Sequence, residues 1–293
     1  MRFSKYQALG NDYLVFDEPD PRLLSPAFVR RVCDRRRGLG SDGVLVAERS
    51  RDPGAFSLRI LNPDGSEAEK SGNGLRIFAR FLWDRDLVGQ EPFSVSTKGG
   101  RVRCHVREAG RLVFVEMGRA SFDSEAIPVR GPRREVVGEL IEVAGEQVRI
   151  TAVSMGNPHC VVHVEALSPD LARDLGPRLE NHHLFPNRTN VQFVRVLDPR
   201  RIQIEIWERG AGYTLASGTS SCAAAAASVR LGLCAEHVTV VMPGGELEID
   251  VLPDYSVTML GPVGHVADGT LSKELTDDGS QEGDSPAARR AGD

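Results

Sequence analysis

The sequence lacks several features that mark common classes of protein. It has no basic excess, because its net charge is −5 over 293 residues, and this disfavours binding to a nucleic-acid backbone. No segment approaches about 18 consecutive apolar residues, and the first residues lack the apolar stretch of a signal peptide. We therefore expect a cytoplasmic protein that binds neither nucleic acid nor a membrane.

Cysteine is also sparse, and its spacing excludes two common uses. The chain has five cysteines and no C-x-x-C pair: Cys33, Cys104, Cys160, Cys222 and Cys234. An odd number in this pattern fits neither a disulfide framework nor a zinc ribbon. We expect buried free thiols and no metal site.

The chain does contain enough apolar residues for two ordinary cores. It is 41% apolar and 26% charged, which is typical of a globular protein. Because single cores stop growing near about 250 to 300 residues, we expect two α/β domains, over 1–120 and 121–271. The strand region 256–271 is a candidate to complete the first domain. The polar, charged segment 272–293 is expected to be a disordered tail.

Short strands alternate with few helices in both halves. Helices are predicted over Ser25–Arg36, Gly72–Trp83 and about Ser220–Leu233, the last carrying the run Ala223–Ala227. The predicted strands are Met1–Leu9, Gly43–Ala47, Phe56–Asn62, Phe93–Thr97, Arg101–Val106, Leu112–Met117, Gln147–Ser154, Cys160–Val164, Asn190–Val196, Gln203–Trp207, Val238–Val241, Glu246–Val251 and Ser256–Leu260. The pattern favours an α/β fold of two pseudo-symmetric domains, each a curved, mostly antiparallel sheet around one central helix.

The start of each central helix carries the same short motif. Residues 69–76 read EKSGNGLR, and residues 216–222 read ASGTSSC, so that the two serines lie 146 residues apart (217 − 71 = 146). Each serine precedes a glycine at a predicted helix N-terminus, where free N–H groups and partial positive charge favour an anion. One such motif is usually only a turn or cap, but two copies at two central helices indicate a site.

Other polar residues stand at turns and strand ends. Glu208 and Arg209 follow a predicted strand in a glycine-rich loop, where a guanidinium group could bind a carboxylate. A surface ion pair is the common alternative. His159, Asn11 and Asn190 also lie in or beside turns, and each taken alone is typical of a structural residue.

Read together, these stretches closely resemble the diaminopimelate epimerase family. The likeness covers roughly residues 3–271, and its motifs stand in the family's order: ALGND (8–12), GLGSDG (38–43), NPDGSEAE (62–69), GNG (72–74), MGNPHC (155–160), FP (185–186) with TNV (189–191), and WERGAG (207–212). The resemblance implies two domains with the active site in the cleft between them. It also implies inversion of an amino-acid α-carbon without PLP or another cofactor. Inversion needs one acid/base group on each face of the substrate, which explains why the motif occurs twice.

The resemblance also implies which residues form the site. The implied catalytic residues are Ser71, Ser217, His159 and Glu208. The implied substrate-binding residues are Asn11, Asn62, Gly72, Asn73, Asn157, Asn190, Glu208, Arg209, Gly218 and Thr219. We expect the two serines to face one another across the cleft. We also expect a small-molecule amino-acid substrate, with a homodimer as a candidate assembly.

The chain departs from the family's pattern at both catalytic positions. The family has cysteine where Ser71 and Ser217 stand, and an alcohol is a far weaker acid than a thiol. Lys70 replaces a usually apolar residue, and Tyr213 replaces a usual glutamate. Val44 adjoins a region that contacts the ligand in some members.

These departures leave three hypotheses open. The chain interconverts LL- and meso-diaminopimelate, or inverts a related amino acid, through its serines. Alternatively, it is an amino-acid-binding pseudoenzyme that has lost proton transfer. In the third hypothesis it is an isomerase of altered chemistry, in which Glu208, His159 or Tyr213 transfers the proton.

Overall fold

The computed structural model describes residues 1–20, 24–49 and 55–276. Its strands are β1 (Arg2–Ala8), β2 (Asn11–Asp17), β3 (Val44–Arg49), β4 (Ala55–Leu61), β5 (Glu67–Ala68), β6 (Phe93–Thr97), β7 (Gly100–Arg107), β8 (Leu112–Arg119), β9 (Glu139–Val143), β10 (Glu146–Ser154), β11 (Pro158–His163), β12 (Asn190–Asp198), β13 (Arg201–Glu208), β14 (Gly212–Thr214), β15 (His237–Met242), β16 (Gly245–Val251), β17 (Ser256–Pro262) and β18 (Gly264–Thr270). Its helices are α1 (Pro26–Cys33), α2 (Gly72–Asp84), α3 (Pro169–Glu180), α4 (Gly218–Arg230) and α5 (Lys273–Thr276). Residues 277–293 of the expected tail lie outside the described residues, and α5 forms part of the remainder.

The order of elements is the same in two successive parts of the chain. The first part runs β1, β2, α1, β3, β4, β5, α2, β6, β7, β8, and the second runs β10, β11, α3, β12, β13, β14, α4, β15, β16, β17. The pairings repeat as well. β2 with β3 and β11 with β12 are parallel, as are β4 with β6 and β13 with β15, whereas the other strand pairs within each part are antiparallel. The expected fold class, an α/β fold of two pseudo-symmetric units with mostly antiparallel sheets, is confirmed.

Each part curves its strands around one central helix. α2 buries most of its residues and packs against β1, β2, β3, β7 and β8. α4 carries the fully buried run Ala223–Ala227 and packs against strands from β10 to β13 and from β15 to β17. Alanine side chains are small, so strands pack closely around this helix. Both central helices have 13 residues, and no helix in the described part of the chain is long and apolar enough to cross a membrane.

The last strands of the chain connect the two parts. β17 pairs antiparallel with β8, and β18 pairs antiparallel with β1. The two central helices also contact one another. The strands thereby form one network of 18 strands, and a division of the chain near residue 120 remains our proposal.

Helix α3 was not predicted. It lies between β11 and β12, as α1 lies between β2 and β3. Ser168 caps α3, because its Oγ accepts a hydrogen bond from the Leu171 N–H at 3.1 Å, and Pro169 occupies its first turn. These are recognisable start signals, but Pro177 inside the helix weakens the helical pattern.

Several other boundaries differ from those expected. α1 ends at Cys33 rather than at Arg36, since Asp34 is already extended, and α4 begins at Gly218 rather than near Ser220. The strands β2, β5, β9 and β14 were not predicted, and the predicted strand region 256–271 consists of two strands, β17 and β18. β5 and β14 have only two and three residues, which is too short for a recognisable alternation.

Candidate active site

Both serines of the repeated motif cap a central helix in the same way. Ser71 has φ −138 and ψ 120, and its Oγ accepts a hydrogen bond from the Gly74 N–H at 3.0 Å. Ser217 has φ −147 and ψ 123, and its Oγ accepts from the Ser220 N–H at 3.5 Å. Each hydroxyl therefore lies among the free N–H groups at a helix N-terminus, where negative charge on the oxygen is stabilised.

The two helix N-termini meet at a pair of glycines. A Cβ atom added to Gly72 would lie 3.1 Å from the Cα of Gly218, and one added to Gly218 would lie 3.1 Å from the Cα of Gly72. Only residues without a side chain allow this approach. Because each serine immediately precedes its glycine, Ser71 and Ser217 lie at one junction between the two parts.

Tyr13 contacts the first serine. Its hydroxyl lies 3.4 Å from Ser71 Oγ, and either oxygen can donate the hydrogen bond. Burial raises the pKa of Tyr13 to about 12, and the negative charges of Glu208 and Asp42 add to the increase. Tyr13 was not among the predicted site residues. Its position could have indicated a role, because it stands 146 residues before His159, the separation of the two serines.

Glu208 accompanies the second serine. It ends β13 and is half-buried. Burial raises the pKa of its carboxyl group, and a hydrogen bond from Ser217 opposes the increase. A carboxyl group that ionises closer to neutral pH is suited to exchange protons with a neighbouring hydroxyl.

A hydrogen-bonded chain links further predicted residues to the junction. Asn11 Nδ2 donates to Asp42 Oδ2 at 2.8 Å, and Asn73 Nδ2 donates to Asn11 Oδ1 at 3.0 Å. Asn73 Nδ2 also lies 3.4 Å from the carbonyl oxygen of Ala216 in the second part. The guanidinium group of Arg76 donates to Asn73 Oδ1 at 2.8 Å, and burial lowers its pKa to about 10. The two glycine motifs are therefore held in register by side chains as well as by packing.

The second part supplies a loop around Arg209. The Arg209 N–H donates to Asn190 Oδ1 at 3.0 Å, while Asn190 Nδ2 donates to the carbonyl oxygen of Pro158 at 2.8 Å. The guanidinium group of Arg209 is exposed and donates to the carbonyl oxygen of Asn187 at 3.3 Å. Asn190 thus fixes the Arg209 backbone while the charged end of the side chain stays accessible to a ligand.

His159 is fully buried beside this loop. Its Nε2 lies 2.9 Å from Asn157 Oδ1. Burial lowers its pKa to about 3, and the positive charge of Arg209 acts in the same direction. The ring is therefore neutral at pH 7 and makes its closest described polar contact with Asn157.

Comparison with known proteins adds independent support for the resemblance. The profile described as Diaminopimelate epimerase matches residues 3–122 and 151–266. The protein of Nostoc sp. (strain PCC 7120) named Diaminopimelate epimerase 2 is 51% identical over 276 residues, covering 94% of this chain and 97% of the relative. Diaminopimelate epimerase of Moorella thermoacetica is 42% identical, covering 92% and 98% of the two chains. The chain belongs to the diaminopimelate epimerase family. It is accordingly an epimerase-like isomerase.

Solved structures with lower sequence identity share the fold of this diaminopimelate epimerase family member. A predicted epimerase of Pseudomonas aeruginosa is 20% identical with a TM-score of 0.64, covering 92% of this chain and 98% of that one. A hydroxyproline epimerase of Agrobacterium vitis is 14% identical with a TM-score of 0.67, covering 92% and 91%. At these identities the likeness concerns the fold alone.

Two positions at which this epimerase-like chain departs from the family's pattern have different surroundings. Lys70 Nζ donates to the carbonyl oxygen of Met117 at 2.5 Å, and burial lowers its pKa. The hydroxyl of Tyr213 donates to Glu205 Oε2 at 2.6 Å, and the Arg173 guanidinium group lies 4.3 Å from its ring centroid. The Tyr213 hydroxyl is thus directed to Glu205 rather than to a serine.

The remaining predicted residues differ in how closely they join the site. Thr219 is buried in the first turn of α4, directly after Gly218. Asn62 is half-buried after β4, and its side-chain amide donates to Ser66 Oγ at 3.0 Å within its own turn. Asn62 therefore has polar contacts with its turn, while Thr219 forms part of the glycine junction.

Proposed function

We propose that this chain interconverts LL- and meso-diaminopimelate by moving a proton at the α-carbon, without PLP. The observation that carries the proposal is the pair of helix-capping serines at one glycine junction. The similar proteins from Nostoc and Moorella carry the name diaminopimelate epimerase, which favours this substrate over other amino acids.

In this mechanism the α-carbon lies between the two hydroxyl groups. One serine oxygen removes the α-proton, and the other hydroxyl delivers a proton to the opposite face. The N–H groups at the starts of α2 and α4 hold the α-carboxylate and stabilise negative charge as the proton leaves. Because both helix N-termini contribute partial positive charge, the substrate carboxylate is favoured at the point where they meet.

The charged ends of the substrate require further partners. The Arg209 guanidinium group is suited to a carboxylate, because its planar donors match the two carboxylate oxygens. The amide side chains of Asn11, Asn62, Asn157 and Asn190 complete the proposed set, as the resemblance to the family implies. We also extend the proposal to a homodimer located in the cytoplasm. Sedimentation of the purified chain would test whether it is a dimer.

The decisive experiment follows α-hydrogen exchange in heavy water. LL-diaminopimelate, meso-diaminopimelate and a panel of other amino acids would each be incubated with the chain and analysed for deuterium and for configuration. We expect deuterium at the α-carbon of diaminopimelate together with inversion. Binding of diaminopimelate without exchange would instead support an amino-acid-binding protein, and exchange confined to another amino acid would reassign the substrate.

A further inference from the structure

We propose that Tyr13 is a proton-relay residue that positions Ser71 and returns a proton to its oxygen. Proton transfer on the Ser71 face then involves a phenol, whereas proton transfer on the Ser217 face involves a carboxyl group. The inference rests on the proposed function, because it concerns one of its two acid/base groups. Tyr13 acts through Ser71 and is therefore a positioning residue rather than a group that touches the α-carbon.

The geometry holds the phenol against Ser71. Tyr13 lies on β2 between β1 and β3, is 7% exposed, and places its hydroxyl 3.4 Å from Ser71 Oγ. Gly43 leaves space for the ring, because a Cβ at that position would lie 2.7 Å from the ring carbon Cε1. The contact is long for a hydrogen bond between oxygens, and catalytic hydrogen bonds commonly shorten once substrate is bound.

The relay removes the main difficulty of using an alcohol to exchange a proton with the α-carbon. A serine that simply gives up its proton becomes an alkoxide, whereas a phenol is the more acidic group. In the relay, the Ser71 O–H bond breaks as the new C–H bond forms. The Tyr13 O–H bond then breaks as the Ser71 O–H bond forms again, and the negative charge ends on the phenolate. The reverse sequence removes an α-proton and restores the phenol, so no further reactant is needed.

The surrounding charges determine which group starts as the acid. Burial raises the pKa of Tyr13, and the charges of Glu208 and Asp42 raise it further. The hydrogen bond with Ser71 acts in the opposite direction. A buried carboxyl group still ionises at lower pH than a buried phenol, so Tyr13 begins the cycle protonated and Glu208 begins it as the base.

The repeat shows why the two faces differ. The position 146 residues before Glu208 is Asn62, whose amide side chain does not titrate. The position 146 residues after Tyr13 is His159, which burial keeps neutral and which pairs with Asn157. Each serine is therefore next to a titratable group that comes from a different position of the repeat.

The test measures deuterium incorporation at the α-carbon, starting separately from LL- and from meso-diaminopimelate. Each isomer presents its reacting hydrogen to one face, so the ratio of the two initial rates reports the balance between faces. We expect Tyr13→Phe to change this ratio about 100-fold, the lower end of the range for a positioned acid/base group. The change should have the same direction as in Ser71→Ala.

Tyr6→Phe is the matched control. It removes a buried hydroxyl from the neighbouring strand β1, where Tyr6 donates to Asp84 Oδ2 at 3.0 Å. This variant should keep the parent ratio. Because both rates are measured on one preparation of each variant, their ratio does not depend on the folded fraction. The ratio can therefore be measured even if Tyr13→Phe is only partly folded.

Two results would overturn the relay. Tyr13→Phe could keep the parent ratio, or it could slow exchange equally from both isomers, as expected for a purely structural hydroxyl. If the parent protein incorporates deuterium into neither isomer, the proposed function is contradicted, and so is the relay that depends on it. The parent measurement thus distinguishes the two failures.

Discussion

The two parts of the site share a backbone plan but differ in their side chains. Ser71 and Ser217 have nearly the same backbone angles and cap helices of the same length. Their titratable neighbours differ, because the Tyr13 hydroxyl contacts Ser71, whereas Ser217 lowers the pKa of Glu208 against the effect of burial. Duplication therefore supplies the opposed geometry, and later divergence of the neighbours supplies the two kinds of acid.

The buried cations are also unevenly divided. Lys70 and Arg76 belong to the first part, and the positions 146 residues later are Ala216 and Cys222. Both cations lie near Cys222, and burial lowers the pKa of each. The two copies of the motif therefore differ in their buried cations as well as in the side chains around their serines.

Replacing Glu208 should have the largest effect, because it removes the carboxyl group from the Ser217 side only. Glu208→Gln should lower kcat about 100-fold, because it removes the base beside Ser217. Burial raises the pKa of Glu208 above its ordinary value of 4.5, so the parent should lose activity as pH falls through that raised value. The variant should lack this acidic limb. A pH–rate profile that keeps the limb in Glu208→Gln would show that another group titrates there.

Removing the Arg209 side chain should mainly affect binding. Arg209→Ala should weaken substrate binding by about 1.5 to 3 kcal/mol, the range for hydrogen bonds to charged groups, and leave the exchange ratio between isomers unchanged. Calorimetry of diaminopimelate binding would measure the loss. Arg178→Ala is the control, because this exposed arginine pairs with Asp174 on α3. Equal affinity in Arg209→Ala and the parent would contradict the assignment.

The glycine junction makes a prediction about stability. Gly72→Ala should cost about 1 to 3 kcal/mol of unfolding free energy, because the added methyl group would lie 3.1 Å from the Cα of Gly218. Gly89→Ala is the matched control, since no heavy atom lies within 4 Å of its added Cβ. Urea unfolding of both variants would compare them. If Gly72→Ala is as stable as Gly89→Ala, the two helix starts do not meet closely.

Restoring thiols should have the smallest effect. Replacing Ser71 and Ser217 together with cysteine should raise the rate of meso-diaminopimelate formation about tenfold, because helix N-termini lower thiol pKa values. The single variants show whether the gain is shared by both faces. A parent as fast as the double variant would mean that Tyr13 and Glu208 already supply the acidity. No activity in any variant would instead favour another substrate or binding alone.

The motifs that form the junction were the most predictable part of the molecule. The serine-glycine pattern and the apolar spacing placed the start of α2 at Gly72, where the structure has it. Such features depend on residues close together in sequence. The fold class also followed from alternation and from the repeat, and it is confirmed.

Features that depend on distant pairing could not be derived in this way. Tyr13 contacts Ser71 because β2 pairs with β3 and α2 packs against both, and no local pattern shows this. The complete burial of His159 is likewise set by surrounding elements, although its turn motif was recognisable. α3 could have been found from its Ser168 cap and from its equivalence to α1, since the two occupy the same place in the repeat.

The most direct test of the central claim compares Ser71→Ala with Ser217→Ala in heavy water. If the two serines serve opposite faces, each variant should slow α-hydrogen exchange from a different isomer of diaminopimelate, by at least about 100-fold, and both should lose inversion. Exchange lost from the same isomer in both variants, or inversion retained in either, would contradict the account.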